Sequence, residues 1–277
     1  MVRTATVSIA LALVAGCGGS GGDGSSTTTG PDAAPAFAIS GNPESTTGAT
    51  WTFKATVDGV AYDLTGILYK PVGAGPFPAV VLSHGSDGNA AFLASGIAPT
   101  MVQWGLVCIA VNYTHATGVP IGSPGTAAEV GASSANVSRA HMTHELLRRL
   151  SYVDMSRVAA HGHSLGAYLD VAEISTYPSD FRVASHTSGG VRPAFIVSGP
   201  APTVAEASTI HVPYQIHHGD ADTVVALSYE QRFDSVLTAV GTSHQFFVYP
   251  GASHIAVRLD PVMLQRVHDW YASHGMF

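Results

Sequence analysis

Hydrophobic and polar positions along the chain follow two periods. Trp51, Phe53, Ala55 and Val57 fall at every second position, Asp58-Gly59 follows as a hairpin turn signal, and Val60–Tyr69 returns as a second strand. After a Gly/Pro-rich loop over 71–78, Ala79-Val-Val-Leu-Ser83 is a continuous apolar run, the pattern of a strand covered on both faces. From there strand and helix patterns alternate. Ala90–Trp104 and Ser138–Leu150 predict helices, with a strand over Leu106–Asn112 between them. Arg157–His161 predicts a strand and Leu165–Thr176 a helix. Further strands are expected over Pro193–Ser198, Val212–His217 and His244–Tyr249, and helices over Leu227–Val240 and Pro261–Ser273. Such alternation implies an α/β domain with a mainly parallel sheet and helices on both faces. No internal repeat is visible. One segment has neither period: Tyr113–Asn136 is long and rich in Gly, Ser and Pro, and it leaves the C-terminal end of a predicted strand. Open α/β sheets place their ligands at that end, so this segment reads as a lid or a substrate-facing loop.

The N-terminus has a pattern of its own. Met1–Gly16 carries Arg3 and then the apolar run Val7–Ala15, too short to span a bilayer and typical of an export signal. Val14-Ala-Gly-Cys17 resembles a bacterial lipobox, in which Cys17 is lipidated and becomes the mature N-terminus; the alternative is an ordinary secretory signal cut nearby. Gly18 after the cysteine resembles lipoproteins of the outer membrane. Residues 17–35 are almost entirely Gly, Ser, Thr, Pro and Ala, a flexible tether. As a random coil it reaches roughly 20–25 Å. The catalytic domain is then 36–277, and membrane contact is expected only through the lipid anchor. Charged residues make up 11 % of the chain, the formal charge is -7, and no Lys/Arg cluster exists, which argues against nucleic acid as a partner. With Cys17 acylated, Cys108 has no intrachain partner; within Leu106–Val111 it reads as a buried, inert thiol.

The candidate chemistry centres on Gly162-His-Ser164-Leu-Gly166, set between a predicted strand and a predicted helix. A chain that turns sharply from strand to helix strains its central residue and crowds the flanking positions. Two glycines relieve the crowding and leave Ser164 exposed as a nucleophile. A serine hydroxyl needs a base to take its proton and an acid to orient that base, in the order Ser, acid, His for this arrangement. Tyr214–Val225 supplies two acids after an apolar strand. Asp220 reads as a turn former and Asp222 as the triad acid, with a helix N-cap as the alternative for Asp222. His254 follows the last predicted strand after Pro250-Gly251 and is the candidate base, whereas His244, His268 and His274 fit surface roles. The oxyanion formed on attack needs two N–H donors, expected at Leu165 and at Ser86 in the loop after Ser83, with His84 shaping that turn.

Taken together, Gly66–Pro71, Gly75–Gly85, Gly162–Gly166, His218-Gly-Asp-Ala-Asp222 and Gly251-Ala-Ser-His254 resemble the α/β-hydrolase superfamily, and most of all its dienelactone-hydrolase-like branch. The resemblance runs from about Trp51 to the C-terminus. It implies an eight-stranded sheet, no cofactor, and a triad of Ser164, Asp222 and His254 that cleaves a small or polymeric carboxylic ester. Secreted polyester hydrolases and cutinase-like enzymes share much of this skeleton. Dienelactone hydrolase proper uses a cysteine nucleophile, so its substrate is not carried over. A propeller of the prolyl-oligopeptidase kind has no room in the chain, which counts against a peptidase. Two other classes stay in view. A metal-dependent lactonase would need more than His161-x-His163 or the His141/His144 pair, and no metal site is expected. A non-catalytic surface lipoprotein would keep the fold for binding, though every expected catalytic group is present, which counts against it.

Overall fold

A computed structural model of the chain describes residues 36–193 and 200–277. The expected signal segment 1–16, the tether 17–35 with Cys17, and residues 194–198 of the expected strand at Pro193–Ser198 lie outside the described residues. In chain order the strands are β1 (Ala36–Ser40), β2 (Ala49–Val57), β3 (Val60–Tyr69), β4 (Phe77–Ser83), β5 (Val107–Val111), β6 (Val153–His163), β7 (Val183–Thr187), β8 (Tyr214–Gly219) and β9 (His244–Tyr249). The helices are α1 (Ala90–Gln103), α2 (Ser134–Leu147), α3 (Leu165–Thr176), α4 (Val204–Ala207), α5 (Leu227–Val240), α6 (His254–Arg258) and α7 (Pro261–Ser273).

The apolar run of β4 explains the architecture. Ala79 and Val81 point into one core layer, with Leu146 of α2, Leu169 of α3 and Phe233 of α5. Val80 and Leu82 point into the other, with Leu93 and Ile97 of α1 and Val267 of α7. A strand buried on both faces belongs in the interior of a sheet, and β4 lies between β5 and β6 in the order β1-β2-β3-β5-β4-β6-β7-β8-β9. From β5 to β9 in that order every pairing is parallel, while β1, β2 and β3 add antiparallel ribbon at one edge. The chain passes from β4 to β5 on one side and then to β6 on the other. That reversal opens a crevice at the strands' C-terminal ends. The fold is that of an α/β hydrolase. Among the described residues no helix is long and apolar enough to cross a membrane.

Two expectations are corrected. The sheet has nine strands rather than eight, because Ala36–Ser40 pairs along β2 as an outer edge. The second helix begins at Ser134, four positions before the expected Ser138, because the Ser133 side chain caps it by accepting the Asn136 N–H. The segment 113–136, expected as a lid or a substrate-facing loop, is tied down. Arg139, fully buried, donates from Nε to the Pro124 carbonyl at 2.8 Å and from Nη1 to those of Asn112 and Ile121 at 2.9 and 2.6 Å. Asn136 closes its base, accepting from the Thr114 N–H at 3.0 Å and donating to the Gly131 carbonyl at 3.1 Å.

Replacing Arg139 by Met strands three carbonyls that have lost their donor, and the loss of each buried bond costs about 1–3 kcal/mol. Urea unfolding of Arg139→Met is expected to report a destabilisation of about 3 kcal/mol or more. A loss below about 1 kcal/mol would mean that other contacts hold the loop.

Candidate active site

Sheet register brings the site together. Ser83, the last residue of β4, is paired with Gly162 of β6, so the loop after β4 and the elbow after β6 leave the sheet side by side. Helix α3 must cross β4 at close range for this to happen. A Cβ on Gly166 would fall on the Ser83 carbonyl, and one on Gly162 would come within 2.6 Å of the Gly166 carbonyl oxygen. Between them Ser164 takes φ 57° and ψ −121°, a conformation that costs a non-glycine residue about 1–3 kcal/mol. Its N–H donates to the Thr187 carbonyl of β7 at 3.0 Å, which fixes the apex.

On the neighbouring strands, Gly219 of β8 is paired with Tyr249 of β9, and the two following loops are stitched together. The Ala221 N–H donates to the Ala252 carbonyl at 3.1 Å, and the Asp220 carboxylate accepts the Gly251 N–H at 2.6 Å. Asp220 therefore anchors the histidine loop, a role that goes beyond forming its own turn. Asp222 accepts the N–H groups of Val224 and Val225 on Oδ1 at 2.8 and 2.9 Å. It caps no helix, since the N-cap of α5 is Ala226. Its Oδ2 takes the Nδ1–H of His254 at 2.7 Å. Burial pushes the Asp222 carboxyl up, but the Val225 N–H, His254 and the Val224 N–H outweigh it and hold the group below the ordinary aspartate range. The His254 ring lies 4.7 Å, centroid to centroid, from the ring of His163, the residue before Ser164.

One expected oxyanion donor, Leu165, follows Ser164 directly, and the loop that carries the other, Ser86, meets the apex at Gly85. Leu165 is the first residue of α3, and the Gly85 backbone packs against Ser164, since a Cβ at 85 would come within 2.9 Å of the serine Cβ. Among the described residues neither the Ser86 nor the Leu165 N–H donates to a protein acceptor. His84 shapes this loop as a neutral ring: Nδ1–H donates to the Gly85 carbonyl at 2.8 Å and Nε2 accepts the Tyr113 N–H at 3.1 Å. Burial, with His115 alongside, brings its pKa down to about 3. The loop is also tied to the histidine helix, because Asp87 pairs with Arg258 of α6 at 2.5 Å.

Other sequence candidates sit elsewhere. His244 pairs with Asp234, and His268 lies against Trp104 and Phe277. His141 and His144 both engage Asp180, and among the described residues no group of three or more His, Cys, Asp or Glu is arranged to hold a metal ion. Cys108 is buried, and burial pushes its thiol up.

Behind Asp222 lies a buried chain of side chains that no sequence motif marks. His218 Nε2 donates to the Val225 carbonyl at 3.1 Å and lies 3.5 Å from Asp222 Oδ2, while its Nδ1 lies 3.6 Å from Glu230 Oε1. Glu230 Oε2 takes the Nε2–H of His186 at 2.9 Å, and Oε1 accepts the Gly189 N–H in a short bond. Burial pushes the Glu230 carboxyl up, but His186 and His218 outweigh it and bring its pKa down to about 2. A glutamate on a helix looks like a solvated residue in sequence, so only the fold reveals it.

A family model for the dienelactone hydrolase family matches residues 64–260. No curated protein matches the chain. Among solved structures, dipeptidyl peptidase 4 of Porphyromonas gingivalis is 15% identical with a TM-score of 0.64, over 88% of this chain and 36% of that one, so the chain spans about a third of it. A cold-adapted esterase from an Arctic intertidal metagenomic library is 17% identical with a TM-score of 0.62, over 82% of this chain and 94% of that one. An S-formylglutathione hydrolase from Agrobacterium tumefaciens is 17% identical with a TM-score of 0.64, over 85% of this chain and 99% of that one. At these identities the likeness is one of fold.

Glu230 also sets an acid limit on stability. A carboxyl whose folded pKa lies below its unfolded value stabilises the fold above the unfolded value, roughly pH 4.3. That stabilisation is lost as pH falls toward about 2. Denaturant midpoints measured from pH 6 down to pH 3 are expected to fall less steeply in Glu230→Gln than in the wild type. Parallel curves would count against the ionised, buried glutamate.

Proposed function

The chain belongs to the dienelactone hydrolase family, and on that premise we propose that it is a serine esterase working through Ser164, His254 and Asp222. The observation that carries this reading is the 2.7 Å bond from His254 to the buried side chain of Asp222, taken with a Ser164 held in strained backbone at a strand-to-helix turn. Asp222 accepts from Nδ1, so the lone pair of His254 is on Nε2 and free to take a proton from the serine hydroxyl. Ser164 attacks the ester carbonyl, and the N–H groups of Ser86 and Leu165 receive the oxyanion. The alcohol leaves with the proton from His254, and water then releases the acid from the acyl-enzyme.

A second reading, toward bulky or polymeric esters, rests on one feature. Phe92, Val224, Ile255 and Leu259 are exposed apolar residues on the segments that carry the oxyanion loop, the acid and the base. Exposed apolar side chains gathered at a catalytic rim suit an extended hydrophobic substrate. The export reading belongs to the same proposal: anchored at Cys17, the domain would meet esters outside the cytoplasm.

Wild-type protein is expected to hydrolyse p-nitrophenyl acetate, unaffected by chelators, and Ser164→Ala to lower kcat by on the order of 10⁴-fold or more. Absence of turnover across a chain-length series of esters would leave a non-catalytic lipoprotein as the better reading. On a polyester film, Val224→Ser/Ile255→Ser is expected to release product several-fold more slowly than wild type while matching it on the soluble acetate. Equal loss on both substrates would remove the polymer reading.

A further inference from the structure

We propose that His218, clamped between Asp222 and Glu230, is a positioning residue that carries a fixed positive charge behind the triad and offsets one of the two buried carboxylate charges there. This rests on the assignment of Asp222 and His254 as acid and base.

The hydrogen positions follow from the partners. A carbonyl oxygen can only accept, so the 3.1 Å contact with Val225 places a proton on His218 Nε2. The other ring nitrogen lies 3.6 Å from Glu230 Oε1. A bare lone pair on Nδ1 would face a carboxylate across that gap, which is repulsive, so Nδ1 carries a proton as well. Glu230 is ionised in turn, since it accepts the Gly189 N–H and the Nε2–H of His186. All of these side chains are fully buried. Burial pushes the His218 imidazole down, but Glu230 and then Asp222 outweigh it and hold the ring above the ordinary histidine value.

The remaining groups around this chain do not supply the charge. His163 of β6 is held well below the ordinary histidine value by burial, with His254 and Arg258 adding to the effect. Tyr168 of α3 is pushed up, and so is Tyr214 of β8, which hydrogen-bonds His186; both are therefore uncharged phenols. Arg258 of α6 is engaged by Asp87.

The consequence is a charge balance at the reacting end. With His254 neutral, Asp222, His218 and Glu230 sum to one negative charge. When His254 takes the serine proton the group becomes neutral. Without the His218 charge it would carry two negative charges at rest, and His254 would be too readily protonated to serve as a base.

The test reads charge rather than packing. In His218→Gln the titration of the His254 ring, followed by imidazole NMR in the free enzyme, is expected to move up by about half a pH unit or more. The acid limb of kcat/KM should move with it. Adding Glu230→Gln removes a charge of the opposite sign and is expected to bring both back toward wild type. A His254 titration that stays put in His218→Gln, or a double variant that moves further in the same direction, would overturn the proposal. Should His218→Gln fail to fold, the wild-type spectrum decides: both His218 nitrogens protonated near pH 7.5 supports the charge, and a neutral ring there rejects it. Because the NMR readout needs no substrate, absent esterase activity would refute the ester assignment and leave this test standing.

Discussion

The arrangement depends on how closely α3 can approach the end of β4. At Gly166 the helix backbone lies where any side chain would strike the Ser83 carbonyl. That contact holds the loop after β4 against the elbow after β6, so the candidate oxyanion donors and the serine share one crevice. The same approach forces Ser164 into φ 57°, and the cost is borne by a sheet buried on both faces. Strain at the apex and packing beneath it are two sides of one constraint.

Histidine is used here chiefly as a core residue. His161 and His163 are fully buried in β6, and each meets a hydroxyl through Nδ1, Ser185 at 2.7 Å and Thr187 at 2.8 Å. His217 meets Tyr249 and Gln215 at 2.8 and 2.9 Å. Burial holds His161 and His217 below the ordinary histidine value, so these rings stay uncharged. The exception is the ring between two carboxylates. Those two carboxylates, Asp222 and Glu230, are the groups on which the charge of His218 acts. A low-dielectric surrounding strengthens that interaction and shields it from salt.

Much of this was legible in the sequence, and what was not has definite causes. The long strand and helix patterns held because burial imposes their period. Leu165–Thr176, Leu227–Val240, His244–Tyr249 and Pro261–Ser273 were read to the residue. Val183–Thr187 was missed because Ser, His and Thr make it polar, although the sheet buries it completely. Helix His254–Arg258 is five residues long and shows no period. Ser164, Asp222 and His254 could be singled out because each stands in a short motif at a strand end. Glu230, His186 and the Asp87–Arg258 pair could not be, since their roles come from contacts between residues far apart in the chain.

Substrate choice belongs to that second kind of information. Beside Ser164, Leu165 and Tyr168 pack with Ala132, Ala201, Val225 and Tyr229 in a small apolar cluster. Its members come from the long loop, the elbow helix, the segment after β7, the acid loop and α5, and no motif links them. Ala132 is held there by its N–H, which donates to the Pro200 carbonyl at 2.6 Å, and by Asn136 closing the loop base. Arg139 grips the same loop at Ile121 and Pro124. The wall next to Ser164 is therefore set by a loop whose register is fixed from beneath by α2. Changes in that loop can alter the space beside Ser164 while every residue of the proposed triad stays in place.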